Sequence, residues 1–162
     1  MKSAISDTDI ISTFGKIGRI DLLRRLFTKI HIAPSVIREL MKVEQIGLTW
    51  IVPVREAVEL LPLTEGQIKE AESLVITYPQ LGIGEIESLV LAKSHHLICL
   101  TNDRQAKRVC QALEVPCLDL EEILRALKIK DILPSKVLEE VIDQIEEKDH
   151  TRIKAKKHIL HD

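Results

Sequence analysis

Short continuous runs of aliphatic residues alternate along this chain with longer stretches in which apolar positions recur every three or four residues. The first pattern is that of strands covered on both faces, and the second is that of amphipathic helices. The clearest pair lies in residues 81–103. Ile86, Leu89, Val90 and Ala92 form a helical stripe, and His95 and His96 close it, where imidazoles can meet the last carbonyls. Residues 97–100 (Leu-Ile-Cys-Leu) then read as a buried strand, with Asp103 just past its carboxyl end.

The same reading extends in both directions. Residues 2–6 form a first strand, followed by Asp7-Thr8-Asp9 and a helix that begins with Ile10, Ile11 and Phe14 and ends near Gly15. Gly18 separates it from a second helix over residues 20–27, and residues 30–32 form a brief second strand. Pro34-Ser35 opens a helix with Val36, Ile37, Leu40 and Met41 on its apolar face. Trp50, Ile51 and Val52 read as a third strand closed by Pro53, with residues 54–63 as a connector. Thr64 and Gln67 form a capping box for a helix that runs to about Thr77 and is ended by Pro79. Residues 102–113 are helical, residues 115–118 form a fifth strand, and Asp119 caps a helix through Ile123, Leu124 and Leu127. Pro134-Ser135 opens a last helix with Val137, Leu138, Val141, Ile142 and Ile145 on one stripe, ahead of a basic tail from residue 150 onward.

Strands alternating with helices imply right-handed crossovers and helices on both faces of a sheet. The expected fold is α/β: a three-layer α/β/α domain around a short, mostly parallel five-stranded sheet, with C-terminal helices added. Residues 1–130 would form that domain, and residues 131–162 a helical extension packed on it or on a partner.

Composition narrows the picture. At 162 residues the chain is long enough for one domain with a sizeable core; 45% of it is apolar but only 2% aromatic, so that core is built from Leu, Ile and Val. A net charge of −2 exerts no global pull on nucleic acid, so a polyanionic partner would need a local basic patch or metal ions. No apolar run approaches membrane-spanning length and no signal-peptide pattern is present, so a soluble, cytoplasmic protein without a membrane partner is expected. Cys99, Cys110 and Cys117 lack metal-type spacing and read as reduced packing residues.

The acids carry the chemistry. Parallel strands point their carboxyl ends the same way, so Asp7 and Asp103, each directly after a strand, reach one edge. Glu39 borders Val36 and Val43 on its helix, and Glu85 sits beside Leu89 and Ala92, so both can lean over that edge; Glu87 falls on roughly the opposite, outward side. Four converging carboxylates without a basic partner repel one another, and divalent cations remove that cost. Mg²⁺ and Mn²⁺ favour carboxylate and water oxygens and complete their shells with phosphate, which points to metal-assisted phosphodiester hydrolysis. Each acid also has a plain structural role open to it. Asp7, Asp9 and Asp103 can cap helices, and Glu39 and Glu85 can simply reach solvent. Taken as a group they favour a site, with Thr8 and Asn102 adding polar side chains at the same strand ends.

Asp-Thr-Asp at residues 7–9, Pro-Ser-Val-Ile-Arg-Glu-Leu at 34–40, Gly-Ile-Gly-Glu-Ile-Glu-Ser-Leu-Val-Leu-Ala at 82–92 and Thr-Asn-Asp at 101–103 together resemble the PIN domains (PilT N-terminus-like). These are metal-dependent ribonucleases that include the VapC toxins of toxin–antitoxin pairs. The Gly-Glu-x-Glu-Ser helix is most similar to an uncharacterised prokaryotic branch of predicted nucleic-acid-binding proteins with a C-terminal helix pair. The resemblance implies an endoribonuclease dependent on Mg²⁺ or Mn²⁺ that prefers single strands, with Asp7, Glu39, Glu85 and Asp103 as its catalytic and metal-binding acids. Asp9 departs from the family, which more often has Ser or Asn there; it can bind metal or merely cap the helix. The resemblance also implies a homodimer, and an antitoxin protein as a partner of the toxin form. Lys16, Arg19, Arg24 and Arg25 after the first acid, and Arg104 and Lys107 after the last, are candidates for tracking an RNA backbone. The basic tail can bind RNA, a protein or nothing. Two alternatives stand beside this reading. Asp7 and Asp9 also resemble the Asp-x-Asp start of haloacid-dehalogenase-type phosphatases, although the later Lys and paired acids of that family are missing. The other is a PIN-like module that binds RNA or protein without catalysis.

Overall fold

A computed structural model describes residues 2–161. Five parallel strands make one sheet: β1 (Ala4–Ser6), β2 (Ile30–Ile32), β3 (Glu59–Leu60), β4 (Ile98–Leu100) and β5 (Cys117–Leu118), in the order β3-β2-β1-β4-β5. The helices are α1 (Thr8–Lys16), α2 (Asp21–Leu26), α3 (Pro34–Gln45), α4 (Ile51–Ala57), α5 (Glu65–Thr77), α6 (Ile83–His95), α7 (Arg104–Ala112), α8 (Leu120–Ile129), α9 (Ser135–Lys148) and α10 (Lys156–His161). The expected α/β class and parallel five-stranded sheet are therefore present. β1 is the middle strand, and all three of its residues are buried.

The strand order positions the site. Connections from β1 run outward to β2 and β3, whereas β4 and β5 add on the other side, so the winding reverses between β1 and β4. At such a switch point the neighbouring loops part and leave a crevice at the carboxyl ends of the strands. Helices α1, α3, α7 and α8 each follow a strand directly and so begin at this edge. Their amino-terminal turns, with unsatisfied N–H groups, collect where the acids lie.

Most local signals read from the sequence have visible physical causes. Thr64 and Gln67 exchange the two capping-box hydrogen bonds (2.8 and 3.2 Å), and Asp119 caps α8. His96 ends α6 in the left-handed conformation (φ 54°), which lets the chain turn into Leu97 and β4. The third strand is different. Trp50, Ile51 and Val52 are not a strand: they start α4, with Pro53 in its first turn, where its missing N–H leaves no gap. Ile51 and Val54, three residues apart, form the buried face of that helix. A short apolar run does not distinguish a strand from one turn of helix. The true third strand, β3, lies in the supposed connector and has both residues exposed at the sheet edge, so no apolar run marks it.

The C-terminal helices pack within the chain: α9 against α1 and α8, and α10 against α8 and α9. The stripe Leu138, Val141, Ile142 and Ile145 is buried. Cys99 and Cys117 are register partners on β4 and β5, and all three cysteines are free thiols. The contact with Cys117 pulls the Cys110 thiol down, but the contact with Cys99 and burial outweigh it and push the thiol up to about 12, which keeps it protonated and unreactive.

Gly15 lies in α1 directly under α4. A Cβ placed there would meet Trp50 Cε3 at 2.6 Å and Val54 Cγ2 at 2.7 Å. Gly15→Ala should therefore destabilise the protein by ~1–3 kcal/mol despite the helix-propensity gain of ~1 kcal/mol. Urea unfolding followed by the fluorescence of the single tryptophan would check this; a more stable variant would refute the packing argument.

Candidate active site

Asp7 ends the central strand and starts α1. Its backbone N–H donates to Leu100 O (3.0 Å), continuing the β1–β4 ladder. Its Oδ1 accepts from Ile10 N at 2.9 Å as the α1 N-cap, and its Oδ2 accepts the Thr101 hydroxyl at 2.8 Å. The side chain is almost closed to solvent (5% exposed). Burial, with smaller contributions from the nearby Asp9 and Glu85 charges, pushes its carboxyl up to about 7 in spite of those two hydrogen bonds.

Asp103 has the same relation to β4. It caps α7, accepting from Ala106 N at 2.8 Å, and its own N–H donates to Thr101 Oγ1 at 3.2 Å. Thr101 thus bridges the two aspartates from the end of β4, a role that no sequence signal separated from its neighbours Asn102 and Thr8. Asn102 itself is exposed, and its Oδ1 accepts from Leu120 N at 3.4 Å.

The two glutamates come from α3 and α6. Glu39 Oε2 accepts the hydroxyl of Thr8, and Glu85 Oε2 accepts from Gly82 N at 3.0 Å at the head of its own helix. The helices approach closely because Gly84 has no side chain: a Cβ there would meet Val36 Cγ2 at 3.2 Å and lie 3.8 Å from Glu39 Oε1. Glu87 corrects the sequence reading. It points inward, is only 7% exposed, and accepts from Ser35 N (2.8 Å) in the first turn of α3. Taking α6 as an isolated amphipathic helix made its far side solvent. In the fold that side meets the α3 terminus, whose free N–H groups favour a carboxylate.

Asp7, Thr8, Asp9, Glu39 and Glu85 line one cleft of about 90 Å³, together with Val36, Gly82 and Gly84; no Lys or Arg lines it. Burial and the neighbouring Asp103, Asp9 and Glu39 charges raise the Glu85 carboxyl. Burial, Glu39 and Asp149 raise Asp9, which Lys16 partly offsets. Asp103 stands just outside the lining but acts on both groups electrostatically. Hard oxygen donors with raised protonation are what a divalent cation would relieve. As the side chains stand, no three His, Cys, Asp or Glu among the described residues are gathered around a single point able to hold an ion. The carboxylates are turned to their caps and hydroxyls instead. The donor chemistry and placement fit a hard cation, with the freer Glu39 and Glu85 side chains turning inward.

The basic candidates spread widely. Lys16 is ion-paired to Asp149 (2.9 Å), Arg19 to Asp21 (3.0 Å), and Lys107 to Asp119 and Glu122. Arg24 and Arg25 donate to the Ala57 and Ile132 carbonyls (3.3 and 3.0 Å). Ala57 lies just before β3, so Arg24 is at the amino end of the sheet, opposite the cleft. Arg104 alone of this group is exposed and close to the acids without an ion pair among the described residues. Asp149 was not foreseen. It accepts from Thr13, Lys16 and Thr151, and although burial opposes this, those bonds hold its carboxyl below the usual range.

Two stability predictions follow from these contacts. Because Asp7 rises from an ordinary 3.8 to about 7, its contribution to stability is full below pH ~4 and is lost as pH climbs through ~7. In EDTA, Asp7→Asn, which keeps the cap, should be more stable than wild type at pH 8 by on the order of 2–4 kcal/mol. At pH 4 that gain should disappear. Denaturant titrations at the two pH values decide it, and an equal difference at both would contradict the burial argument. Separately, Glu87→Ala should cost ~1–3 kcal/mol by leaving Ser35 N unpaired, with Glu87→Gln recovering most of the loss.

A family model described as a PIN domain (DUF3368) matches residues 3–159. The crystal structure of PAE2754 from Pyrobaculum aerophilum is similar in fold: TM-score 0.58 at 17% identity, over 78% of this chain and 98% of that one. No curated protein matches in sequence. The PIN fold is a nuclease-type fold whose members typically use divalent metals, and the strand order, the crevice at the β1–β4 switch point and its ring of acids agree with it. The chain belongs to the PIN-domain family.

Proposed function

We propose that this protein is a metal-dependent endoribonuclease that hydrolyses RNA phosphodiester bonds. The observation that carries the reading is the cleft at the β1–β4 switch point, which Asp7, Asp9, Glu39 and Glu85 line together without a basic residue among them. Asp7, Glu39, Glu85 and Asp103 would hold Mg²⁺ or Mn²⁺, which when bound supplies an activated water and screens charge on the phosphoryl oxygens. The chain's own part is positional. Thr101 holds both aspartates at their strand ends, and Thr8 orients Glu39. Asp9 lies in the same cleft and adds charge to it. The phosphatase alternative requires a lysine beside its acids, and the cleft has none.

The toxin form of this reading adds a homodimer and an antitoxin protein as partners. The apolar side of α9 supplies no surface for either, because it is covered within the chain. Among the described residues no helix is long and apolar enough to cross a membrane. One observation favours a binding-only module instead: every acid of the proposed set already has a hydrogen-bonding partner.

Thermal unfolding separates the two readings. After EDTA treatment, Mn²⁺ at about a hundredfold excess over its Kd should raise the Tm of wild type by ~5–10 °C. Asp103→Asn should abolish most of that rise. Single-stranded RNA should be cut only with Mg²⁺ or Mn²⁺, and not by Asp7→Asn despite its intact fold. Indifference of wild type to millimolar Mn²⁺ would leave the binding-only module as the better account.

A further inference from the structure

The acid cleft does not end at its own rim. Asp9 lines both the cleft and a neighbouring depression toward Asp149, and Asn102 and Thr151 line both that depression and a groove of about 240 Å³ beyond it. The three run in series from the acids to the segment between α9 and α10. One wall of the last groove is the start of α7, with Arg104; the other is residues 151–154.

That segment has no regular secondary structure, yet it is fastened at Thr151, Ile153, Lys154 and the following Ala155, on either side of Arg152. Thr151 donates to Asp149, which also takes Thr13 and Lys16 of α1. Ile153 is buried (4% exposed), and its N–H donates to Glu146 at 3.3 Å. The N–H groups of Lys154 and Ala155 both donate to Glu121 Oε1, at 2.8 and 3.3 Å. Alternation does the rest: with Ile153 turned in, its neighbours Arg152 and Lys154 are both exposed. Neither side chain has an ion pair among the described residues, nor has Arg104 across the groove. The acids of the groove are already engaged: Asp119 by Lys107, Glu121 by two backbone N–H groups, and Asp103 by the α7 cap. Three cations in a rigid frame beside an acid cleft are left to meet anionic groups from outside. Mobile surface lysines would not call for four anchoring bonds beneath them.

We infer that this groove is the binding track for a single-stranded RNA, which passes from the acid cleft across Asn102 and lays its phosphates against Arg104, Arg152 and Lys154. The inference rests on the ribonuclease reading for its substrate class and gives that substrate a direction across the surface. Specificity on this track comes from backbone charge and strand width, since the groove has no aromatic side chain to stack a base.

The test reads binding, not cleavage. A fluorescein-labelled single-stranded 12-mer RNA is titrated in EDTA, by anisotropy, against full-length wild type, Arg152→Ala/Lys154→Ala, Arg104→Ala and a control. The control is Lys130→Ala/Lys136→Ala, on the outer ends of α8 and α9. The double groove variant should bind about tenfold more weakly, with the slope of log K against log salt shallower by about 1.4, and Arg104→Ala by about half that slope change. The control should match wild type. Equal loss in control and groove variants, unchanged binding in the groove variants, or no binding by wild type would each overturn the inference. So would equal binding of the duplex form through the same residues. Failure of the nuclease reading looks different: RNA bound through these residues would remain uncut on adding Mn²⁺.

Discussion

A carboxylate buried at the carboxyl end of the middle strand constrains everything around it. Asp7 cannot be hydrated where it sits, so each of its oxygens must be met by the protein, and the partners available are the first free N–H groups of α1 and the hydroxyl of Thr101 on β4. Those two bonds fix the departure of α1 and tie β1 to β4 at the point where the winding reverses. They do not satisfy the charge completely, and the carboxyl stays protonated to about neutral pH. A cation bound at the centre of this edge would favour the carboxylate and displace that proton.

Cap and ligand are usually weighed as rival roles for an acid after a strand. Here they are compatible. Asp7 and Asp103 each place one oxygen on a helix N-terminus, and that bond is what holds the carboxylate at the strand end. The opposite wall depends on a different contact: α6 presses against α3 through Gly84, and Glu87 clamps the first turn of α3. With α3 and α6 held together in this way, Glu39 of one and Glu85 of the other line the same cleft. Glu87, which does not line the cleft, thus helps to hold together the two helices that do.

The C-terminal helices extend the same edge. By binding Thr13, Lys16 and Thr151 together, Asp149 joins α1 to the segment after α9. The sheet alone would present an acidic edge that repels a polyanion. The added segment brings positive charge next to it without inserting any into it.

The hydrophobic pattern by itself determined the α/β class, four of the five strands and most helix starts, because buried strands and capped helices depend on neighbours in sequence. It also determined that Asp7 and Asp103 share an edge, since parallel strands leave no other arrangement. It did not reveal β3, an exposed two-residue edge strand paired only with β2, nor that residues 50–52 open a helix, which packs on Gly15 through Trp50 and Val54. Glu87 turned inward for a reason that no period of α6 contains, namely the unsatisfied N-terminus of a helix more than forty residues earlier. Charges behaved alike: Lys16 and Lys107 read as available until folding brought Asp149 and Asp119 beside them, whereas Arg19 is paired locally, with Asp21 two residues on. Local chemistry is written in the order of residues, but the partner of a charge is set by which distant segments the core brings together, and only the tertiary structure supplies that.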